Sequence, residues 1–555
     1  MPDWTYQPLR GIAAALLGEK RSQRAALRVL ATIGSLDGGR LVARAFGNGH
    51  PPPHLAGTVA GVPVTSRLGA VVPPAVARDA LCALPPLGAG LIEIGPVGVD
   101  DVDLVRAAVV GRRVPVLINA AGTDAPTVVT RLASHVDAVR VGADPAVRYQ
   151  SSPSIADAVR TLTGPAAAVL VTPAVLIHSG PGWFARVIEA ATPTTKPPRL
   201  SALDPNPRRW PAWCWALLVG LGLLCTGLIA VAITLGPVLL WYDKAFLGAG
   251  TDDLNAINPR LIGFLQHDRI SMAGVLMAIG VIYAGLAAGG IRRGWPWARE
   301  TFLISGWIGF PTLLYFFGTG FVEPLHTASA ATLFPMFLLV ARRRPHVHPQ
   351  WTVQLEGPED LRRKALIGQL LLVLTGVGLT VGGAVVSVVG LTGVFVDSDL
   401  AFLQTGPVAL QEANPRLLEF VAHDRAGFGG ALISAGAAVT LLSMWGWRRG
   451  DSWVWWTLAL ASFCGFMPAL ATHGGIGYTD PLHLAPVYAG VAVTVTGLIL
   501  SWPYLNARPA RACVSRKVHT PGYMTSASDN SNQSHDRGQP QHPTDHARAL
   551  TELRK

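Results

Sequence analysis

Long apolar runs separated by short polar connections fill the chain from Trp210 to Pro503. Runs of about 18 or more mostly apolar residues are long enough for a helix to cross the hydrocarbon core of a bilayer. The fourth run is the shortest and contains Pro335. The pattern predicts an all-α polytopic membrane domain of eight helices, centred in Trp213–Trp241, Ile270–Ile291, Thr301–Phe321, Ser329–Ala341, Leu366–Phe395, Gly427–Trp447, Trp455–Ala471 and Leu484–Trp502.

The membrane region contains an internal duplication. The segment NPRLIGFLQHDR begins at Asn258 and NPRLLEFVAHDR begins at Asn414, an offset of 414 − 258 = 156 residues. From Glu323 to Asp480, where EPLH corresponds to DPLH, the offset is 480 − 323 = 157 residues. Because four spans return the chain to its starting side, two such repeats are expected to be parallel. The predicted first repeat, cytoplasmic linker and second repeat are residues 210–345, 346–365 and 366–503.

The few charged residues indicate how the chain is oriented. They make up only 14% of the chain, against about 25% in a typical soluble protein. Basic residues favour the cytoplasmic side, so a cell-membrane protein with both termini cytoplasmic is predicted. The net charge of +11 then reflects topology, with the lipid bilayer as partner and no nucleic acid. Arginines mark every second junction, at Arg208, Arg209, Arg292, Arg293, Arg299, Arg342, Arg343, Arg344, Arg448, Arg449, Arg508 and Arg511.

Ionisable side chains recur at the predicted outer ends of both repeats. At membrane depth such residues usually face a bundle interior or a cavity and suggest a functional site. Carboxylates with neutral imidazoles can hold a metal ion, transfer protons or bind a polar head group, and paired imidazoles can ligate a haem. The candidate metal ligands are His267, His326, His423 and His483, accompanied by Asp268, Arg269, Glu323, Asp424, Arg425 and Asp480.

A structural interpretation of the same residues stands beside the functional one. Asp268 and Asp424 are expected to start helices, where a carboxylate suits the N-terminal dipole and the adjacent arginine can reach the membrane interface. Each NPRL segment is expected to form a turn and a short amphipathic helix on the outer surface. The triplet HDR occurs a third time at His535–Arg537, within residues 506–555, a polar tail predicted to be disordered.

Residues 1–200 show a different pattern, in which short apolar strands alternate with amphipathic helices. This alternation predicts a parallel α/β domain, either a barrel or an open sheet. The predicted strands are GLIEIGP (90–96), VPVLINA (114–120), DAVRVG (137–142) and AAAVLVT (166–172). The predicted helices are AVARDALCAL, DDVDLVRAAVV, TVVTRLASH and SIADAVRTL.

Several segments of this domain resemble the membrane-associated, quinone-linked dihydroorotate dehydrogenases. They are VAGVPVTSRLGAVVPP, ALCALPPLGAGLIEIG and AAAVLVTPAVLIHSGPGWFARVIEA, within a resemblance that covers roughly a third of the chain. The resemblance implies a TIM barrel that binds FMN, oxidises dihydroorotate to orotate and passes electrons to a membrane quinone. It also places Asn119 where the family has a flavin-contacting asparagine.

The sequence departs from that family at the positions that carry its chemistry. Val71-Val72-Pro73 stands in place of the Ala-Ala-Gly flavin turn, Pro96 in place of a threonine, and Gly142-Ala143-Asp144-Pro145 in place of the catalytic-serine loop. The segment that would supply the middle strands and the phosphate loop is missing. Ser151–Ser154 (SSPS) opens a helix instead of following a strand, so it is expected to be a helix cap.

Two classes of function follow from these departures. Without a base and without phosphate-binding amides, dihydroorotate oxidation has no agent and FMN has no anchor. We therefore expect a degenerate, non-catalytic partial TIM barrel whose open sheet edges are covered by the membrane domain or by a second copy in a homo-oligomer. The alternative is a reduced, membrane-bound, FMN-dependent dihydroorotate dehydrogenase that uses quinone as electron acceptor in pyrimidine biosynthesis.

Overall fold

The structure is a computed structural model of the chain. It describes residues 3–35, 53–142, 146–172, 175–176, 179–180, 182–192, 197–199, 203–312, 314, 320–343 and 357–507. Most of the predicted linker and all of the predicted tail beyond Ala507 lie outside these residues. The proposed replacement for the catalytic-serine loop also lies largely outside them, at residues 143–145.

The first part of the described chain is built on a six-stranded parallel sheet with the strand order β6-β5-β4-β3-β8-β7. Its strands are β3 (Leu68–Val72), β4 (Leu91–Val97), β5 (Val116–Ala120), β6 (Ala138–Val141), β7 (Val147–Gln150) and β8 (Ala168–Val171). A short antiparallel hairpin, β1 (Gly57–Val59) and β2 (Val62–Val64), precedes them. The parallel α/β class is confirmed, and the sheet is a half-barrel.

Helices connect these strands and also open the chain. They are α1 (Asp3–Leu17), α2 (Glu19–Ser35), α3 (Ala77–Ala83), α4 (Val102–Ala108), α5 (Ala125–Leu132), α6 (Ile155–Thr163) and α7 (Trp183–Ala191). Ser154 caps α6, because its hydroxyl accepts a hydrogen bond from the amide of Asp157 at 3.1 Å. The interpretation of SSPS as a helix cap is therefore confirmed. The expectation that SSPS does not follow a strand is wrong, because β7 ends at Gln150, directly before Ser151.

Side chains alternate between the two faces of the half-barrel, as the two-residue period of a strand requires. On the outer face, Ile92 and Ile118 are buried against the helices. On the inner face, Leu91, Leu117 and Leu170 form a second apolar cluster, which the β1–β2 hairpin helps to cover. Burial of both faces is typical of parallel sheets, and it fits the nearly continuous apolar runs of the strands.

An ion pair also occupies the inner face. Arg140 on β6 donates to Oε2 of the fully buried Glu93 on β4 at 2.8 Å, and the Tyr149 hydroxyl on β7 donates to Glu93 Oε1 at 2.7 Å. A buried carboxylate needs such partners because it has lost its water. Asn119 is half-buried on the same face, beside Gly95.

The second part of the described chain is helical. The first repeat contains α8 (Ala212–Leu235), α9 (Trp241–Leu247), α10 (Thr251–Ile257), α11 (Leu261–Gly285), α12 (Pro296–Thr312) and α13 (Pro324–Arg342). The second contains α14 (Glu359–Leu391), α15 (Asp397–Leu403), α16 (Pro407–Ala413), α17 (Leu417–Trp445), α18 (Ser452–Ile476) and α19 (Pro481–Leu505). A π-helical turn (Leu286–Gly290) and a 3-10 turn (Ile291–Arg293) extend α11.

Seven described helices are long and apolar enough to cross a membrane, which indicates a multi-pass membrane protein. They are α8, α11, α13, α14, α17, α18 and α19. The predicted third span corresponds to α12, which has 17 residues and ends at Thr312. Residue 313 and residues 315–319, which follow, are not among the residues that the structure describes. Eight spans are therefore not established.

The register of the duplication recurs in the helices. From α9 to α15 the first residues are separated by 397 − 241 = 156, and from α11 to α17 by 417 − 261 = 156. The pair of short helices between the first two spans is likewise repeated, as α9–α10 and α15–α16. Each repeat thus folds into four long or moderately long helices with two short ones after the first.

Polar contacts join the α/β part to one end of the helical part. Asp3 on α1 accepts hydrogen bonds from the Gly182 amide at 2.7 Å and from Arg362 on α14 at 2.5 Å. Arg448, just after α17, forms two bonds of 2.6 and 3.1 Å with Glu189 on α7. Arg448, one of the junction arginines that indicate membrane orientation, thus also contacts the α/β part.

Candidate metal centre

The repeated motif joins the two repeats to each other. Asn258 forms a turn, since its Oδ1 accepts a 2.8 Å bond from the Arg260 amide. The side chains of Asn258 and Arg260 both reach the other repeat. Four cross-repeat bonds form two reciprocal pairs, so each NPRL segment binds the opposite repeat in the same way. They run from Asn258 to Leu403 O (2.7 Å), from Asn414 to Leu247 O (3.0 Å), from Arg260 to Phe402 O (2.5 Å) and from Arg416 to Phe246 O (2.8 Å). Asn258 also donates to the Thr405 hydroxyl at 3.2 Å.

The arginine of each His-Asp-Arg triplet continues this exchange in the buried interior. Arg269 donates to Asp424 of the other repeat at 2.8 Å and to Asp243 of its own repeat at 3.2 Å. Arg425 mirrors it, with bonds of 3.2 Å to Asp268 and 2.6 Å to Asp399. All these side chains are buried, so two pseudo-symmetric networks of one arginine and two carboxylates connect the repeats.

Two structural predictions for these residues are wrong. Asp268 and Asp424 do not start helices: α11 begins at Leu261 and α17 at Leu417, and the triplets lie inside them. The adjacent arginines point into the buried networks and not to a membrane interface. The predicted turn is present at NPRL, but the short helices precede it, as α10 and α16, instead of following it.

Three imidazoles converge at the end of the bundle where α11 begins. His267 on α11 comes from the first repeat, and His473 near the end of α18 and His483 in the first turn of α19 come from the second. One ring nitrogen of each lies within 4.8 Å of the others. We call this group the three-histidine cluster.

Hydrogen bonds to the outer ring nitrogens determine which nitrogens of the cluster carry protons. The Nδ1 atoms of His267 and His473 contact the carbonyl oxygens of Phe264 and Ala469, the latter at 2.8 Å, and a carbonyl can only accept. Both Nδ1 atoms are therefore donors, and in a neutral imidazole the Nε2 atom keeps its lone pair. These lone pairs are available to a metal ion, and the carbonyl partners hold the rings in the orientation that metal-ligating histidines use.

The hydroxyls of Tyr478 and Ser398 both lie 3.1 Å from the Nδ1 atom of His483. Tyr478 also donates to Asp399 Oδ1 at 2.8 Å. Burial alone would raise the pKa of Asp399, but Arg425, the Val396 amide and Tyr478 together hold it below its usual value, so the carboxylate stays an acceptor. With its proton on Asp399, Tyr478 can accept from His483 Nδ1–H, and in that tautomer His483 Nε2 also keeps its lone pair.

The spacing of the cluster fits a small metal ion. His473 Nε2 and His483 Nε2 are 3.4 Å apart, close to the edge of about 3.4 Å that a tetrahedron with Zn–N bonds of ~2.05 Å has. Asp268 Oδ1 lies 3.4 Å from His267 Nε2, which is also about the length of a tetrahedral edge. The same short separation leaves no room for a porphyrin between His473 and His483.

A second cluster occupies the pseudo-equivalent place. Glu323 and His326 come from the first repeat and His423 from the second, and we call this group the Glu-His-His cluster. Glu323 Oε2 contacts His326 Nδ1 and lies 3.6 Å from His423 Nε2, so a carboxylate already stands between two imidazoles. The hydroxyl of Tyr242 donates to the other carboxylate oxygen at 3.0 Å.

The candidate residues are therefore sorted into two places. His267 and His483 meet in one cluster, while His326, His423 and Glu323 meet in the other, so each cluster takes its central histidine from one repeat and the rest from the other. Asp480 is in neither: its carboxylate caps α19 by accepting from the His483 amide at 2.7 Å. Asn119 lies in the α/β part.

Sequence reasoning missed His473 and Tyr478. The register places Phe316 and Phe321 opposite them, since 473 − 157 = 316 and 478 − 157 = 321, so no doubled motif marks them. The available signal was a histidine near the end of an apolar span, ten residues before His483. Comparisons of the chain with protein-family models, with curated proteins and with solved structures find no match.

Proposed function

We propose that this chain is an integral membrane protein whose duplicated helical bundle binds one divalent transition-metal ion at the three-histidine cluster. The observation that carries the proposal is the convergence of three imidazoles whose other nitrogens are each hydrogen-bonded to a carbonyl or hydroxyl group. Three lone pairs directed at one point repel one another unless a cation or a proton lies between them. Imidazole ligands suit zinc, iron, copper and nickel, and three of them leave a coordination position open for a substrate or water.

The charge distribution favours the three-histidine cluster over the Glu-His-His cluster as the metal site. In the Glu-His-His cluster, the carboxylate of Glu323 supplies a negative charge between His326 and His423. A proton shared with the imidazoles therefore balances the charge there without a metal ion. In the three-histidine cluster, Asp268 is the nearest carboxylate, and Arg425 already donates a hydrogen bond to its other oxygen. We therefore assign the metal to His267, His473 and His483, with Asp268 beside the open position.

We further propose that the α/β part is a non-catalytic relative of the dihydroorotate dehydrogenases that serves as a docked cytoplasmic domain. Val71-Val72-Pro73 stands where the family has its flavin turn, and the segment that would supply the phosphate loop is missing, so FMN has no anchor. Contacts with Arg362 and Arg448 support a fixed position on the basic end of the bundle. Basic ends favour the cytoplasm, which supports cytoplasmic termini and outward-facing clusters in the cell membrane.

Elemental analysis of detergent-purified protein tests the metal assignment. We expect about one transition-metal ion per chain, lost in His267→Gln and retained in His423→Gln, which changes the pseudo-equivalent histidine of the other cluster. Size-exclusion profiles and thermal stability of both variants would establish that each is folded. Equal metal content in His267→Gln and the unaltered protein, or metal loss confined to His423→Gln, contradicts the assignment.

A further inference from the structure

A large apolar cavity lies directly beneath the three-histidine cluster. Its volume is ≈ 450 Å³, within the range of pockets that bind small molecules. Helices α11, α14, α17, α18 and α19 surround it, and Ser271 and Thr375 are among its few polar lining residues. Apolar cavities of this kind do not hold water well, so an apolar group is the occupant that its walls favour.

The position of the cavity links it to the cluster. Ser271 lines it from one helical turn after His267, Ala469 from one turn before His473, and Pro486 from one turn after His483. Ala469 is also the residue whose carbonyl accepts from His473 Nδ1. All three helices that supply the histidines therefore continue into the wall of the cavity, and the cluster lies about one helical turn beyond that wall.

The other repeat provides an internal comparison. A smaller cavity of ≈ 80 Å³ lies beneath the Glu-His-His cluster and is lined by the counterparts of several residues of the large one. Tyr283 and Ile279 line the small cavity where Val439 and Ala435 line the large one, at the offset of 156. The two repeats have thus diverged so that the larger of these two cavities lies beside the cluster to which we assign the metal.

We propose that this cavity holds the single long acyl chain of an amphiphilic substrate whose oxygen-donor head group binds at the three-histidine cluster. The proposal rests on the metal site proposed above, because the open coordination position receives the head group. The apolar walls and the volume of ≈ 450 Å³ suit one hydrocarbon chain from the bilayer, and the cluster selects a head that can donate an oxygen lone pair. A long-chain carboxylate is the simplest molecule with both properties.

Binding of radiolabelled palmitate to the full-length, metal-loaded protein in detergent tests the proposal. Gly465→Leu fills the cavity at low steric cost, because a Cβ atom on Gly465 would meet only the Ala278 Cβ, at 3.8 Å. Leu460→Phe is the matched control, since it adds bulk to the half-exposed outer surface of the same helix. We expect palmitate to bind at least tenfold more weakly to Gly465→Leu and with unchanged affinity to Leu460→Phe.

Metal content, measured in the same samples, separates this proposal from the one on which it rests. Metal-loaded Gly465→Leu that binds palmitate as the unaltered protein does overturns the cavity proposal and leaves the metal site standing. An unaltered protein without metal overturns the metal site and with it the head-group position. Displacement of palmitate by phospholipid at equal concentration identifies the cavity as an ordinary lipid site and also overturns the proposal. Weaker palmitate binding in His267→Gln, but not in His423→Gln, supports the head-group position.

Discussion

Arg269 and Asp424 are separated by 155 residues in sequence, yet Nε of one lies 2.8 Å from Oδ2 of the other in the buried interface between the repeats. The mirror pair, Arg425 and Asp268, makes the same contact at 3.2 Å. Each repeat therefore supplies both a cation and an anion to its neighbour. Since neither charge is solvated, the two halves of the bundle are held in one relative position.

Replacing Arg269 with Met should destabilise the protein by about 3–5 kcal/mol, because Asp424 and Asp243 would remain buried without their cation. The free energy of unfolding in mixed detergent, followed by circular dichroism, measures the effect. Arg209→Met is the control, since Arg209 pairs with Asp204 while 75% exposed and should change stability by less than about 1 kcal/mol. Equal effects of the two substitutions would contradict a structural role for the buried network.

Tyr478→Phe should lower metal affinity by about 10- to 100-fold, because one of the two hydroxyls that contact His483 Nδ1, the one that is bonded to Asp399, would be removed while the ring is kept. Competition with a chromophoric chelator gives the affinity. Tyr242→Phe removes the corresponding hydroxyl beside Glu323 in the other cluster and is expected to leave metal affinity unchanged. A larger loss of metal affinity in Tyr242→Phe than in Tyr478→Phe would place the metal in the Glu-His-His cluster.

Asp451 should make the stability of the protein depend on pH near the basic end of the bundle. Burial raises its pKa to about 6, although Arg448 and Arg293 act in the opposite direction. The unfolded chain has a pKa of about 3.9, so the folded state binds the proton more tightly. The contribution of this group is therefore fully present below about pH 4 and is lost as the pH rises through 6.

The melting temperature of Asp451→Asn relative to the unaltered protein should accordingly rise between pH 4.5 and pH 7. Scanning calorimetry or fluorimetry at four or five pH values in that window measures the difference. Asp103→Asn serves as the control, because its side chain is 90% exposed. A difference that stays constant across the window would show that Asp451 is not protonated at lower pH.

Asp3→Asn should loosen the α/β part from the helical part. Burial opposes the charge of Asp3, but Arg186, Arg362 and the Gly182 amide outweigh it and lower its pKa, so the carboxylate stabilises the fold at neutral pH and loses this role on acidification below its ordinary range. Limited proteolysis between the two parts should become several-fold faster in the variant. Asp79→Asn, which alters the pair with the largely exposed Arg28, should leave the rate unchanged.

Much of the architecture could be predicted because it follows from local patterns of apolar and polar residues. Leu91–Val97 and Val116–Ala120 are apolar runs of strand length, and the long helices contain few charges. Strands β3 and β7 were missed, since β7 reads VRYQ and has no apolar run, and Gly69 interrupts the apolar run of β3. Periodicity reports which residues are buried, but it does not report which distant strand they pair with.

The candidate site was predicted only where duplication marked it. His267 and His423 stood out because each recurs in the same context, yet they belong to different clusters. Phenylalanines occupy the positions of the first repeat that correspond to His473 and Tyr478, so comparing the two repeats did not reveal these residues. The cross-repeat pairing of Arg269 with Asp424 depends on how helices from separate repeats pack, and a linear sequence contains no direct record of that packing.

The division of each cluster between the repeats has a consequence for the origin of the protein. A single four-helix unit contains no complete cluster, whereas two copies facing each other would contain two identical ones. The bundle thus has the construction of a symmetric dimer joined into one polypeptide. Within one polypeptide the two sites need not be identical: one has three imidazoles beside the larger cavity, and the other has two imidazoles and a carboxylate beside the smaller one.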